Sequence, residues 1–396
     1  MVKATIIGGG IAGLATALFA KQEGLDLPVY ERQDSLRCQD NLLWMAPNGL
    51  KMLERLGVMD SVQRLATPQD GMIFADESLQ TLMQMKGQAL ESHLGYRVLA
   101  LSRQALYEVL LEALLQRGGQ VHFGHELRQI LQDHRGVQLE FANGEKVRTE
   151  RVIAADGIGS LVRRQIFPES RVRYQGLRTY LGKSVSPVAA KFVGKTIEAW
   201  GHGVRFVVTS LDGTTAYWSA IERSEDYVSN SAPLPADLQQ RLLKSYAKFH
   251  PDILTLIEAA VPESIHRCNF GVVEGLRSYM HGGVCLIGDA AHGMPPNMGQ
   301  GASLGLEDAQ HLVHLLLAGS GEFHVKSDRP RMKRAAQMRQ LANAMNVSFQ
   351  PKSLWASRLR NAVASLIPDR MNESRMVQLY QVPRFLNAQA KLEVRA

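Results

Sequence analysis

Residues 8–13 read Gly8-Gly9-Gly10-Ile11-Ala12-Gly13, a GxGxxG turn set between two different periodicities. Ahead of it, Ala4 to Ile7 is a short apolar run of strand type. Behind it, Ile11, Leu14, Ala15 and Leu18 fall at helical spacing, and Gly24 suits a helix end. Leu27 to Tyr30 reads as the next strand, with Glu31 at its end, eighteen residues after Gly13. Glycines at these places let backbone approach a pyrophosphate, which then sits on the positive end of the helix. The acid at the second strand's end would accept hydrogen bonds from a ribose hydroxyl. Together these are the dinucleotide fingerprint in its structural context. The bland alternative is a tight turn with an exposed glutamate, and the fingerprint alone does not choose between FAD and NAD.

Composition narrows the class. The 396 residues are 45% hydrophobic and 21% charged, enough for a core and for two or three domains. No charge-free apolar run approaches the roughly 18 residues of a membrane span. Lys3 and the apolar stretch 4–20 imitate a signal peptide, but Gly8, Gly9, Gly10 and Gly13 interrupt it, so it reads as structure. Cys38, Cys268 and Cys285 offer neither a disulfide framework nor a CxxC pair, which points to a reduced, cytoplasmic setting. The net charge of +7 is diffuse apart from Arg329, Arg331, Lys333 and Arg334. That suits anionic cofactors and substrates and does not suggest a nucleic-acid partner.

Helix and strand patterns alternate along the chain, which argues an α/β fold. Asn48 is placed to cap a helix running to Leu56, and Ser102 to cap one that Gly118 and Gly119 stop. Asn143-Gly144 signals a hairpin between strands at 137–141 and 147–155. From about 171 to 268 the texture turns sheet-rich and aromatic, as in a lid over a cofactor domain. A strand at 284–287 is followed by a helix from about 301 to 318. The expected divisions are a cofactor domain in three parts (1–75, 99–170 and 269–320), a substrate domain or lid at 76–98, a β-sheet substrate domain at 171–268, and a helical segment at 321–396.

Two further motifs carry chemistry. In Ala154-Ala155-Asp156-Gly157 a strand ends in Asp-Gly, and Arg163 follows. The third and most specific motif is Gly288-Asp289-Ala290-Ala291-His292-Gly293, then Met294-Pro295-Pro296-Asn297-Met298-Gly299-Gln300-Gly301-Ala302-Ser303. Asp289 ends a strand, a proline-stiffened loop crosses over, and Gly299 to Ala302 open a helix whose bare amides favour negative charge. A reduced flavin develops negative charge at N1 and its C2 carbonyl, so the pyrimidine edge of that ring fits there.

This order of motifs resembles the class A flavoprotein monooxygenases typified by para-hydroxybenzoate hydroxylase, and within them the salicylate hydroxylase, urate hydroxylase and zeaxanthin epoxidase relatives. The likeness runs to about residue 345. It implies a Rossmann-like FAD-binding domain with an inserted β-sheet substrate domain and a helical C-terminal segment. By position it implies that Gly8, Gly10, Ala12 and Gly13 hold the FAD pyrophosphate and that Glu31 and Arg32 lie at the adenosine ribose. Arg103 falls on the FAD phosphate side, and Leu127 meets the adenine through its backbone. Asp156 belongs to a largely structural motif shared by FAD and NAD(P)H. Asp289 lies near the ribityl chain, and Gly299, Gln300, Gly301 and Ala302 meet the isoalloxazine. One departure is the loop before Pro47-Asn48, where the family usually has Gly and this chain has Asp40 or Asn41.

The resemblance also implies the reaction. NADH or NADPH reduces FAD, O2 forms a flavin C4a-hydroperoxide, and oxygen passes to a small, aromatic or heteroaromatic substrate. Arg205 and Tyr217 stand where urate hydroxylase relatives keep an Arg and a Tyr near substrate; the alternative is plain sheet packing. Asn297 is a further candidate for the pocket wall, and His292 reads as structural. The twelve histidines show no metal spacing. A monomer or homodimer is expected. A halogenase is disfavoured because its Trp-x-Trp-x-Ile-Pro motif is absent; a reductase on the same scaffold or a non-catalytic FAD-binding protein stays open.

Overall fold

The computed structural model describes residues 3–35, 41–318 and 325–388. At its centre, the strand Ala4–Ile7 pairs in parallel with Val29–Tyr30 on one side and Arg151–Ala154 on the other. The six-stranded sheet extends outward to Val121–His122 at one edge and, through Val284–Leu286, to Met280–His281 at the other. Its inner strands are apolar on both faces, as a doubly covered parallel sheet requires. Ile6, Val29, Ile153 and Cys285 face a helical layer that includes Ile11–Gln22, Arg103–Gln116 and Gly301–Leu317. Ile7, Tyr30, Val152, Ala154 and Leu286 face an antiparallel three-stranded sheet, Leu127–Asp133, Gly136–Phe141 and Lys146–Thr149. Alternation along one strand thus assigns each residue to one of two cores.

A second, seven-stranded sheet runs in the order His266–Glu274, Arg171–Val185, Thr215–Arg223, Val204–Ser210, Lys195–Trp200, Gly71–Asp76 and Thr81–Lys86. Phe206, Val208, Trp218 and Ala220 point to the helices Leu238–Ser245 and Pro251–Glu258. Leu177, Val207, Ile221 and Phe270 form the opposite face, against Trp44. The helices Val325–Phe349, Leu354–Leu366 and Asp369–Leu379 follow, the last two packing on the edge strand Thr81–Lys86.

Several expectations need correction. The hairpin Gly71–Lys86 belongs to the substrate-side sheet, because Gly71 to Asp76 pair in parallel with Lys195 to Trp200. The expected boundary at 75 therefore cuts a strand, and that at 268 cuts His266–Glu274. The stretch 147–155 is two strands, Lys146–Thr149 and Arg151–Ala154, in different sheets. Ser102 does cap its helix, its hydroxyl accepting from the Ala105 N–H at 3.2 Å. Asn48 does not cap; Ala46 takes that place with Pro47 at the first helical position.

Candidate functional site

A long cleft of about 2060 Å³, open mouth included, crosses the C-terminal ends of the parallel strands. Its walls come from three separated stretches: Gly8 to Ala12 with Glu31 and Arg32, Ala155 to Gly157, and Ile287 to Asp289 with Gly299, Gly301 and Ala302. Arg103 and Leu127 line it as well. Of the cofactor residues expected from sequence, two do not. Gly13 serves packing instead: a Cβ there would lie 2.0 Å from the Gly8 carbonyl oxygen. Gln300 is buried, and its amide trades hydrogen bonds with Asn48 at 3.0 and 3.2 Å. Asn48 also donates to Glu307 at 2.7 Å, so it pins the flavin-type helix to its neighbour.

The glycines fit a bound dinucleotide in different ways. Gly8 has φ +104°, and a Cβ would press to 2.4 Å from the Ala155 carbonyl. Above Gly10 and Gly157 a Cβ would meet nothing within 4 Å, so the backbone there borders open space. Gly299, at φ +60°, lets the chain turn from the proline loop into the helix Gly301–Leu317. That helix crosses the first one closely, since Ala12, Gly288 and Gly305 carry almost no side chain at the contact. Glu31 accepts from the Gly9 N–H at 2.7 Å and from the Gln33 N–H at 3.0 Å, so it braces the glycine turn from the second strand.

Burial pushes the Asp156 carboxyl up, opposed by hydrogen bonds from Ser160 and backbone amides. Its Oδ2 accepts from the Val162 N–H, while the buried Oδ1 has no partner among the described residues. An orphaned acceptor beside the cleft fits a hydroxyl-bearing cofactor. The nearby Arg163 is buried and donates to the carbonyls of Ala290 and Ile158 at 2.9 and 2.5 Å, tying the second motif to the third. Asp40 lies outside the described residues. Asn41 accepts from the Arg103 N–H at 2.7 Å, leading into the strand Leu42–Met45.

Beneath the third motif lies a buried ionic cluster. His292 Nε2 meets Asp308 Oδ2 at 2.7 Å, and Arg331 reaches Asp308 at 3.4 Å and Asp328 at 2.5 Å. The Gly288 N–H donates to Asp308, and the Tyr279 N–H to Asp328. Burial alone would raise the Asp308 carboxyl, but His292 and Arg331 outweigh it and hold it at about 2. His292 is thus a structural partner, and no metal-binding cluster of His, Cys, Asp or Glu occurs among the described residues. Burial pushes the Cys285 thiol up to about 12, which makes it unreactive.

A second cavity of about 1030 Å³, open mouth included, adjoins the cleft, sharing Trp44, Pro296 and Gly299 with it. Met72, Met85, Leu181, Val207, Ile221, Phe270 and Met376 give it an apolar lining, broken by Gln69, Thr179, Thr196, Glu198 and Ser219. Trp44 donates to Thr196 Oγ1 at 2.7 Å, and Thr196 donates to Gln69 at 3.0 Å. Asn297 lines this cavity. Arg205 does not: it is fully buried behind the wall, paired with Glu198 at 2.7 Å and 3.4 Å from Asn297 Oδ1. Tyr217 shares a sheet face with Ser219 and Ile221 but stands beyond the cavity. Sequence reasoning missed Trp44, Thr196 and Glu198, which no motif marks.

Residues 1–322 match the family described as FAD binding domain. The 2-heptyl-3-hydroxy-4(1H)-quinolone synthase of Pseudomonas aeruginosa is 32% identical over 371 residues, spanning 92% of this chain and 94% of the relative. The FAD-dependent urate hydroxylase of Klebsiella pneumoniae is 28% identical over 318 residues, 78% of this chain and 79% of the relative. The fold is also that of Klebsiella pneumoniae HpxO, crystallised with FAD and uric acid, at a TM-score of 0.86, 23% identity and 96% coverage of each chain. The chain belongs to the FAD binding domain family and, within it, to the class A flavoprotein monooxygenases, and is an FAD-dependent enzyme.

Proposed function

We propose that this enzyme uses NADH or NADPH and O2 to hydroxylate a small, neutral-to-polar heteroaromatic substrate held in the apolar cavity. The observation that carries this reading is the junction at Trp44, Pro296 and Gly299, where an apolar cavity adjoins the cleft lined by the glycine turn and the third motif. The relatives are named for urate and for a quinolone, both planar heteroaromatic ring systems.

Bound FAD supplies two-electron transfer from the nicotinamide and activation of O2. The residues of this chain hold and shield it. Amides of the glycine turn and the start of Ile11–Gln22 offer donors to the pyrophosphate, with Arg103 as a countercharge. Glu31, beside Arg32, takes the ribose hydroxyls, Leu127 borders the adenine, and Asp156 and Asp289 accept from hydroxyls further along. The start of Gly301–Leu317 stabilises negative charge on the ring edge. Met72, Met85, Phe270 and Met298 exclude water from the reacting face. Among the described residues, no helix is long and apolar enough to cross a membrane. The reading includes a cytoplasmic monomer or homodimer.

The test is a screen of heteroaromatic compounds for faster NADH or NADPH consumption by the yellow enzyme, with products weighed for one added oxygen. Stimulated consumption with an oxygenated product is expected. No NADH or NADPH consumption with any compound would favour a protein that keeps FAD without turning over.

A further inference from the structure

Among the described residues two acidic side chains line the apolar cavity: Glu373, partly exposed on Asp369–Leu379, and Glu198, on the seven-stranded sheet and only 3% exposed. The two carboxylate oxygens of Glu198 are used unequally. Oε1 accepts from Arg205 Nη1 at 2.7 Å and from Trp200 Nε1 at 2.9 Å. Oε2 accepts from no described residue, and Glu198 is part of the cavity lining. The cation that balances Glu198 stays behind that wall. Arg205 is fully buried, its guanidinium packs 5.6 Å from the Phe349 ring centroid, and its remaining contact is Asn297. Asn297 in turn donates to the Ala342 carbonyl and to Asn346. The ion pair therefore presents only its negative end to the cavity.

A carboxylate oxygen at an apolar surface is costly without a donor, and a ligand that supplies one gains the difference. The polar neighbours Thr196 and Gln69 are already engaged with Trp44 and each other. Lys86, at the exposed rim, is the cation lining the cavity. We propose that Glu198 is a specificity-determining residue whose Oε2 accepts a hydrogen bond from a ring N–H or phenolic O–H of the substrate. The substrate class is then a neutral planar heteroaromatic with a donor on its ring, and carboxylate-bearing rings are rejected by like charge. This rests on the reading of the cavity as the substrate site.

The test uses the FAD-loaded enzyme and three probes: 4(1H)-quinolone, its N-methyl derivative and 4-quinolone-2-carboxylate. Dissociation constants are read by calorimetry for the wild type, for Glu198→Gln, and for the double variant Glu198→Leu, Arg205→Met. The double variant removes both charges, since the single one leaves Arg205 buried without its partner. In the wild type, the N–H quinolone should bind about 10- to 100-fold tighter than the N-methyl form, and the carboxylate weakest. In the double variant, which has no acceptor left, that gap should shrink to about threefold or less; in Glu198→Gln, whose neutral carboxamide oxygen still accepts, it should shrink in part and the carboxylate probe should gain, with FAD content unchanged in both. Equal binding of the first two probes by wild type, tightest binding of the carboxylate, or a gap that survives in the double variant would overturn the Glu198 assignment alone. Failure of all three probes to bind would overturn it together with the cavity reading.

Discussion

The long cleft and the apolar cavity adjoin but are built from different material. The cleft is a backbone structure. Its shape depends on amides and on missing side chains at Gly8, Gly10, Gly157 and Gly299, and its ionic support lies out of reach beneath it. The cavity is a side-chain structure, lined by methionines, aliphatics and aromatics on a pleated sheet with one buried ion pair in its wall. Backbone shape tolerates little change: a Cβ at Gly8 would press on the Ala155 carbonyl, and one at Gly10 would stand in the open space that the cofactor takes. A side-chain lining tolerates exchange at modest cost, which allows substrate choice to change while the cofactor stays.

The largest effect that tests this contrast is on the cleft. Gly8→Ala puts a Cβ against the Ala155 carbonyl at a φ that suits glycine. The variant should purify without flavin, read as loss of visible absorbance relative to protein. Next comes the support below. Asp308→Asn leaves His292 and Arg331 without their shared anion, and breaking a buried pair costs about 3–5 kcal/mol, measured by urea unfolding. The sign with pH follows from the depressed carboxyl, held at about 2 in the folded protein. Its contribution is complete above about pH 4, the ordinary aspartate value, and is lost as pH falls from there towards 2. Asp308→Asn should flatten that part of the acid limb.

Effects on the cavity should be smaller and should spare the flavin. Met85→Trp narrows the lining, and a change of that kind is expected to raise KM about tenfold for a bulky substrate with FAD content unchanged. Flavin loss in this variant would break the distinction between the two regions. The smallest effect belongs to neither: Ser102→Ala removes a helix cap and should cost about 1 kcal/mol in unfolding free energy, with flavin and substrate affinities unmoved.

The same contrast explains what could be read from the sequence. The cleft is legible because its chemistry is local: glycines at fixed offsets, an acid at a strand end, Asp-Gly, and Gly-Asp-Ala-Ala-His with its proline loop each sit in one short stretch. Even there, the linear pattern does not separate Gly13 and Gln300, which pack, from neighbours that line the cleft. Asn48 looked like a cap by residue type, but its partners Gln300 and Glu307 lie more than 250 positions away in sequence. The cavity was far less legible. Arg205 was picked out, but its pairing with Glu198 turns it away from the cavity; Thr196 and Glu198 reach it on one strand of the larger sheet and Trp44 from another sheet, meeting through the Trp44–Thr196 hydrogen bond. The strand Gly71–Asp76 reads from sequence as part of the cofactor domain, because its register partner, Lys195–Trp200, is remote.

The central claim is that three distant stretches of chain form one site for FAD. Titration of flavin-free protein with FAD, followed by quenching of flavin fluorescence, tests it most directly. The account predicts saturation at one FAD per chain, with the bound flavin absent from the Gly8→Ala variant. A wild-type protein that leaves flavin fluorescence unchanged at every ratio would contradict it.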